Sequence, residues 1–325
     1  MKIKKIIRAL CFLSGIIIML AVSSLFFRPE ANIYNKDAVE EKKESFKLEK
    51  ENSLDVIFLG DSETYANFSP LHIWNSSGVT SYVMGISAQR LCDTYELLNN
   101  SVANQDIKVV ILETNCLYRS SSNYYKADDD VMNKAGDFFP VLKYHSRWED
   151  QIPGSASKVN ASEERKYKGF RLRFNVLPYS GEEWMLETDE IEEISAENIE
   201  YLNKIKAFCD ANEIELLLVS APSPDCWNYA RHNAVENWSN DNDIKFLDLN
   251  LKCDELQIDW SNDTRDGGNH LNYFGAAKVS EFLSVYLGEN YDLEDHRGDE
   301  YYSHWDKSYE NYAKKVDKNM PKEKK

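Results

Sequence analysis

The residues of this chain best suited to chemistry lie in two short motifs about two hundred residues apart. Asp55-Val56-Ile57-Phe58-Leu59 runs into Gly60-Asp61-Ser62, and later Asp266-Gly267-Gly268-Asn269-His270 runs into Leu271-Asn272-Tyr273-Phe274-Gly275. A carboxylate that accepts the Nδ1 proton of a histidine fixes its tautomer and leaves Nε2 free to take a proton from a serine, whose oxygen then attacks an acyl carbonyl. Ser62, His270 and Asp266 are the candidate catalytic residues, with Asp263 as a second nearby acid. Gly-Asp-Ser by itself is short and common, and an Asp or Ser there can do no more than cap a helix. His270 alone can be a loop residue capping the helix after it. Taken together the two motifs say more: His270 is one of six histidines, and the only one just after a turn with two glycines and a nearby acid.

Such groups need a rigid frame. The continuous apolar run 56–59 predicts a buried parallel strand, with further strands at 79–84, 108–112, 214–219 and 244–248. Helices are predicted over about 88–102, from an N-cap at Ser195 to about Asn212, around 235–240, and over 273–287. Alternating strands and helices predict an α/β domain with a parallel sheet, whose sites gather at the carboxyl ends of strands. Ser62, Gly85 and Asn115 all fall just after predicted strands.

With these residues in place, the chain resembles the SGNH, or GDSL, hydrolase superfamily over most of 54–287. Gly60-Asp61-Ser62 matches the nucleophile block. Met84-Gly85-Ile86-Ser87 resembles the second block, and Leu112-Glu113-Thr114-Asn115 the third. The resemblance implies that Ser62 is the nucleophile, that the N–H of Gly85 and the side-chain amide of Asn115 are oxyanion donors, and that His270 is the base. It also implies a three-layer sandwich with a central parallel sheet flanked by helices. Three positions depart from the pattern. Glu63 stands in place of leucine. Glu113 and Cys116 stand in place of a glycine and an aspartate. Asp266 lies one residue too far from His270 for D-x-x-H, a displacement that a bulge at Gly267-Gly268 would absorb.

The chain has 325 residues and a net charge of −17, which argues against a nucleic-acid partner because no broad basic surface is available. The N-terminus differs from the rest. A basic segment, 1–8, precedes an uncharged run, 9–27, long enough as a helix to span a bilayer core. The run is long for a signal-peptide core and no A-x-A site follows, so it is read as a single-pass transmembrane anchor, with the basic flank in the cytoplasm and the rest outside. Residues 28–50 are charge-rich and read as a stalk. The SGNH-like domain is expected over 51–288, with an aromatic-rich insertion at about 117–185 and a polar tail over 289–325 whose aromatic residues allow it to wrap back on the domain. Five cysteines follow the anchor, and their spacing suggests neither a disulfide scaffold nor a metal site. Asp128-Asp129-Asp130 lacks the spacing of a calcium loop. No cofactor is expected.

The anchor and outward-facing domain resemble a narrower group, the membrane-tethered acyl transfer proteins of the cell envelope, of the teichoic acid D-alanyl transfer and alginate O-acetylation types. That resemblance implies an esterase or O-acyltransferase acting on O-acyl groups of envelope polysaccharide at the cell membrane, with a multi-pass membrane O-acyltransferase as partner. The alternative is an inactive SGNH-like domain that binds acylated glycan or scaffolds such a transferase. A plain secreted lipase fits less well with the anchor and the aromatic insert.

Overall fold

The computed structural model describes residues 33–119 and 165–320, with scattered helical residues between 4 and 23. The chain divides into two compact units, residues 1–37 with 122–159 and residues 38–121 with 160–325. Most of the expected anchor, most of the aromatic insertion and the Asp128-Asp129-Asp130 run lie outside the described residues. Among the described residues, no helix is long and apolar enough to cross a membrane.

The second unit is built on five parallel strands: β1 (Val56–Leu59), β2 (Ser81–Val83), β3 (Val109–Glu113), β4 (Glu215–Ser220) and β5 (Lys245–Asp248). Their order is β2-β1-β3-β4-β5. Val56 pairs with Val109 and Ser81, and Val109 with Glu215. Side chains alternate across a strand, so each apolar run supplies two cores. Ile57, Leu59, Val110, Leu112, Leu216 and Leu218 pack on one face. Val56, Phe58, Val109, Ile111, Leu217 and Val219 pack on the other. All of these are buried, and this burial on both faces is what makes the strands read as unbroken hydrophobic stretches.

Helices cover both faces. On the first lie α1 (Ile33–Phe46), α4 (Leu91–Ser101), α5 (Ala196–Ala211) and α6 (Tyr229–Asn242), through Phe46, Leu97, Leu98, Leu202, Ile205 and Val235. On the second lies α7 (Tyr273–Asn290), through Val279, Leu283 and Leu287. The short α2 (Ser62–Asn67) and α3 (Pro70–Ser77) follow β1, and α8 (Ser303–Asn319) closes the chain. The expected α/β architecture, a central parallel sheet flanked by helices, is present.

Two polar stretches contribute to the core. The charge-rich 28–50 is helical over Ile33–Phe46, and its Val39 and Phe46 are buried in the domain core, so its later part is built into the domain. The polar 289–325 also contributes to the core. α8 buries Trp305, Tyr312 and Val316, and Trp305 packs 5.5 Å from Trp74 between ring centroids. Polar composition hid both segments, because each buries only a narrow stripe of large side chains.

Candidate active site

The chain leaves β1 toward β2 on one side, then returns to β3 on the other. The carboxyl ends of β1 and β3 therefore flank a crevice where connections diverge, the usual place for a site in an open α/β sheet. Ser62 follows β1, Gly85 follows β2 and Asn115 follows β3. The turn after β1 requires glycine. Gly60 has a φ of +143°, and a Cβ there would sit 2.9 Å from the Cβ of Glu113. Asp61 then caps α2, its Oδ1 accepting from the N–H of Glu63 at 3.1 Å.

Asp61 is the hub of the nucleophile side. The Asn115 amide donates to its Oδ2 at 2.9 Å and the Arg119 Nε at 2.7 Å. Gly85 lies against its backbone, where a Cβ would meet the Asp61 carbonyl oxygen at 3.0 Å. Ser62, Gly85 and Asn115 are thus gathered around one buried carboxylate. Among the described residues, the N–H groups of Ser62 and Gly85 make no hydrogen bond. Asn115 is also tied through its Oδ1, which accepts from Arg231 at 3.5 Å.

The histidine side comes from the loop before α7. His270 Nδ1 is 2.6 Å from Asp266 Oδ2, and the His270 N–H donates to Asp266 Oδ1 at 2.7 Å. Gly267 and Gly268, with φ of +83° and +111°, take up the extra residue between them. The loop is pinned to α2, because the Leu271 N–H donates to Asn67 Oδ1 at 3.1 Å. Ser223 holds it from the other side, donating to the Asn269 carbonyl at 2.6 Å. Asp263 is turned away from the imidazole and bonds Lys278 at 2.6 Å.

The imidazole and α2 therefore meet, but among the described residues no hydrogen bond joins Ser62 to His270. His270 Nε2 is buried and has no hydrogen-bond partner among the described residues. Glu63 faces it, with Oε1 3.7 Å away. Hydrogen bonds of this kind are often open without substrate.

Three acidic side chains, Asp61, Glu63 and Glu113, are buried together here. Burial pushes Glu63 up to about 7; His270 opposes that shift and Asp61 adds to it. Burial also raises Glu113 well above the usual carboxylate range, with the charges of Asp61 and Glu63 adding. Burial works against the charged form of His270, but Glu63 and Asp266 outweigh it and raise the imidazole above its ordinary value. Burial likewise disfavours charge on Asp266, and the His270 hydrogen bond outweighs it and lowers the carboxyl.

Glu113 caps the turn after β3, with its Oε2 accepting from the Asn115 N–H at 3.1 Å. It orients the peptide from which the Asn115 side chain departs, so the position where the family pattern has glycine carries a working acid. From the sequence Glu63 was only a departure from leucine, and Asn67, Ser223, Arg119 and Arg231 were missed. One signal was present: Glu63 and Asn67 are four residues apart on a helix start, where side chains meet, and Asn67 Nδ2 donates to Glu63 Oε2 at 2.7 Å.

No model of a protein family matches the chain, and no curated protein matches it. Solved structures similar to it include one described as a "putative acylhydrolase" from Bacteroides fragilis, 13% identical, covering 76% of this chain and 94% of that one, with a TM-score of 0.40. Another is a GDSL-like lipase from Bacteroides thetaiotaomicron, 12% identical, covering 78% and 98%, with a TM-score of 0.39. At these values the likeness assigns no function.

Proposed function

We propose that this chain is a serine-dependent acyl transfer enzyme of the SGNH type. The observation that carries the reading is the His270 imidazole: Nδ1 is held by Asp266 while Nε2 is buried, unpartnered and next to the helix that Ser62 begins. Ser62 Oγ attacks the acyl carbonyl and its proton passes to His270 Nε2. Asp266 keeps the imidazole oriented and stabilises its charge. The negative oxygen is met by the N–H groups of Ser62 and Gly85 and by the Asn115 amide. As the tetrahedral species collapses, His270 returns the proton to the leaving oxygen and an acyl-Ser62 ester remains. Water or a sugar hydroxyl, deprotonated by His270, then takes the acyl group.

The finer reading rests on the sequence. The basic 1–8 and apolar 9–27 support a membrane anchor with the domain on the extracytoplasmic face. On that placement the substrates are O-acyl groups of envelope polysaccharide, and the partner is a multi-pass membrane O-acyltransferase that supplies acyl groups. Partly exposed Tyr179, Trp184 and Trp260 cluster edge to face at 5.0–6.0 Å beside the Gly267-Gly268 turn, a surface on which a sugar ring can stack.

The test is covalent labelling of the full chain with a serine-reactive fluorophosphonate, alongside turnover of p-nitrophenyl acetate. Labelling and turnover that vanish together in Ser62→Ala support the reading. A folded wild-type protein that neither labels nor turns over removes it and favours the inactive binding domain.

A further inference from the structure

Glu63 has no role in the mechanism above, yet its carboxylate lies close to the nitrogen that mechanism uses. Its side chain is 1% exposed, and Oε1 lies 3.7 Å from His270 Nε2. Its other oxygen is held by Asn67, and the Ser223 hydroxyl, whose proton goes to the Asn269 carbonyl, lies 3.5 Å from Oε1. These two side chains are the same ones that pin the His270 loop. The carboxylate is therefore fixed in direction by the contacts that place the imidazole. A buried acid costs several kcal/mol unless it is paired or neutral, so a side chain aimed in this way at an unpartnered imidazole nitrogen calls for an explanation.

We propose that Glu63 is a positioning residue that acts through His270: its carboxylate, facing Nε2, clamps the imidazole between two acids and holds a proton at the nitrogen that must accept one from Ser62. The inference rests on reading His270 as the base. Two arrangements carry the same number of protons. In one, imidazolium faces Glu63 carboxylate; in the other, neutral imidazole faces Glu63 carboxylic acid. In the first, Nε2 has no lone pair to offer. In the second, its lone pair faces the acid proton of Glu63. The base is free for Ser62 only once that shared proton has left the pair, so the two groups titrate together.

The neighbours are consistent with this assignment. Asp61 and Glu113 face Glu63 from its own helix start and from the end of β3, and Arg265 faces it from the His270 loop. The Cys226 thiol also lies near and is pushed up to about 12 by burial, so it stays neutral. His270 in turn faces Glu63, Asp266 and Arg265. Of the acids around Glu63, Glu113 has its charged form disfavoured by burial, and Asp61 is bonded to Arg119. Glu63 is the one aimed at Nε2.

The experiment is an NMR titration of the His270 ring in the full chain, assigned against His270→Gln, in wild type and Glu63→Gln. The expected result is a coupled titration in wild type whose His270 midpoint moves to lower pH in Glu63→Gln. If the enzyme turns over p-nitrophenyl acetate, the ratio of rates at about pH 6 and about pH 9 rises severalfold in the same variant. An unmoved or higher midpoint overturns the proposal. If Glu63→Gln fails to fold, the wild-type curve decides: one simple step at the ordinary histidine value overturns it. A wild-type protein inert to fluorophosphonate removes the acyl transfer reading but leaves the His270 titration able to decide this one.

Discussion

Two histidines in this domain have matching neighbours and opposite surroundings. His232, on α6, places Nδ1 2.9 Å from Asp248 Oδ2 and Nε2 3.7 Å from Glu236 Oε1. His270 places Nδ1 2.6 Å from Asp266 Oδ2 and Nε2 3.7 Å from Glu63 Oε1. For His232 the aspartate is buried, 2% exposed, and the glutamate is out in solvent at 53%. For His270 the aspartate is 38% exposed and the glutamate 1%. Asp248 is also fully occupied: Trp227 Nε1 donates to it at 2.9 Å, and Asn250 donates to its other oxygen. The rings of Tyr229 and Phe246 lie 5.2 and 5.6 Å from that of His232. An Asp–His pair is therefore no mark of catalysis by itself. His232 ties a strand end to a helix, whereas His270 Nε2 faces the start of α2 with no hydrogen-bond partner among the described residues.

The largest effect should come from removing each imidazole. His270→Gln should lower Ser62-dependent turnover by about 10³-fold or more, because the proton acceptor is lost. His232→Gln should leave kcat/KM within a few-fold but lower stability by about 1–3 kcal/mol, since Asp248 loses a buried partner. Steady-state kinetics and urea unfolding on the same samples separate the two. A large kinetic loss in His232→Gln would erase the distinction.

The aspartates sharpen it at a smaller scale. Asp266→Asn should cost about 10²–10⁴-fold in kcat, because an amide neither fixes the tautomer nor supports the imidazolium. Asp248→Asn should act on the melting temperature alone. On the nucleophile side, Asn115→Ala should cost about 10²-fold, the value of one oxyanion donor. If Asn115→Ala is kinetically silent, the bond from Asn115 to Asp61 is its whole role.

Most of the frame was legible in the sequence, because buried parallel strands announce themselves as unbroken apolar runs. The predicted 56–59, 214–219 and 244–248 lie within a residue of β1, β4 and β5. The Ser195 cap was equally plain, its side chain accepting from the Asn198 N–H. The Asp266–His270 pair was legible as residues four apart, with two glycines to bend the chain between them. The Glu63 relation to His270 was not, since it joins residues more than two hundred positions apart and no local periodicity reports it. The role of Glu113 was hidden too. A charged residue at the end of a strand reads as solvent-facing, and only the packed crevice shows that it is buried and capping Asn115. α8 was legible only as a polar tail able to wrap back on the domain: three large side chains on one stripe are enough to dock it.

The smallest expected effect concerns stability against pH, and it discriminates between the two glutamates. Glu63 is raised from its ordinary value to about 7 in the folded chain. Between about pH 4.5 and 7 the native state then holds a proton that the unfolded chain has released, so stability falls as pH rises across that window. His270 is also raised, and its contribution is present below the unfolded histidine value and is lost as pH climbs through the folded one. Asp266 is lowered, so its contribution is present above the unfolded aspartate value and is lost only as pH falls through the folded one, outside this window. The melting temperature should therefore decline from about pH 5 to about pH 7.5. Glu63→Gln should flatten that decline in part, with Glu113, His270 and His232, raised in the same sense, supplying what remains. Glu236→Gln should change the slope much less, because that side chain faces solvent and Asp248 is the main partner raising His232. An equal flattening by both variants would mean that burial of the glutamate is not what sets His270 apart from His232.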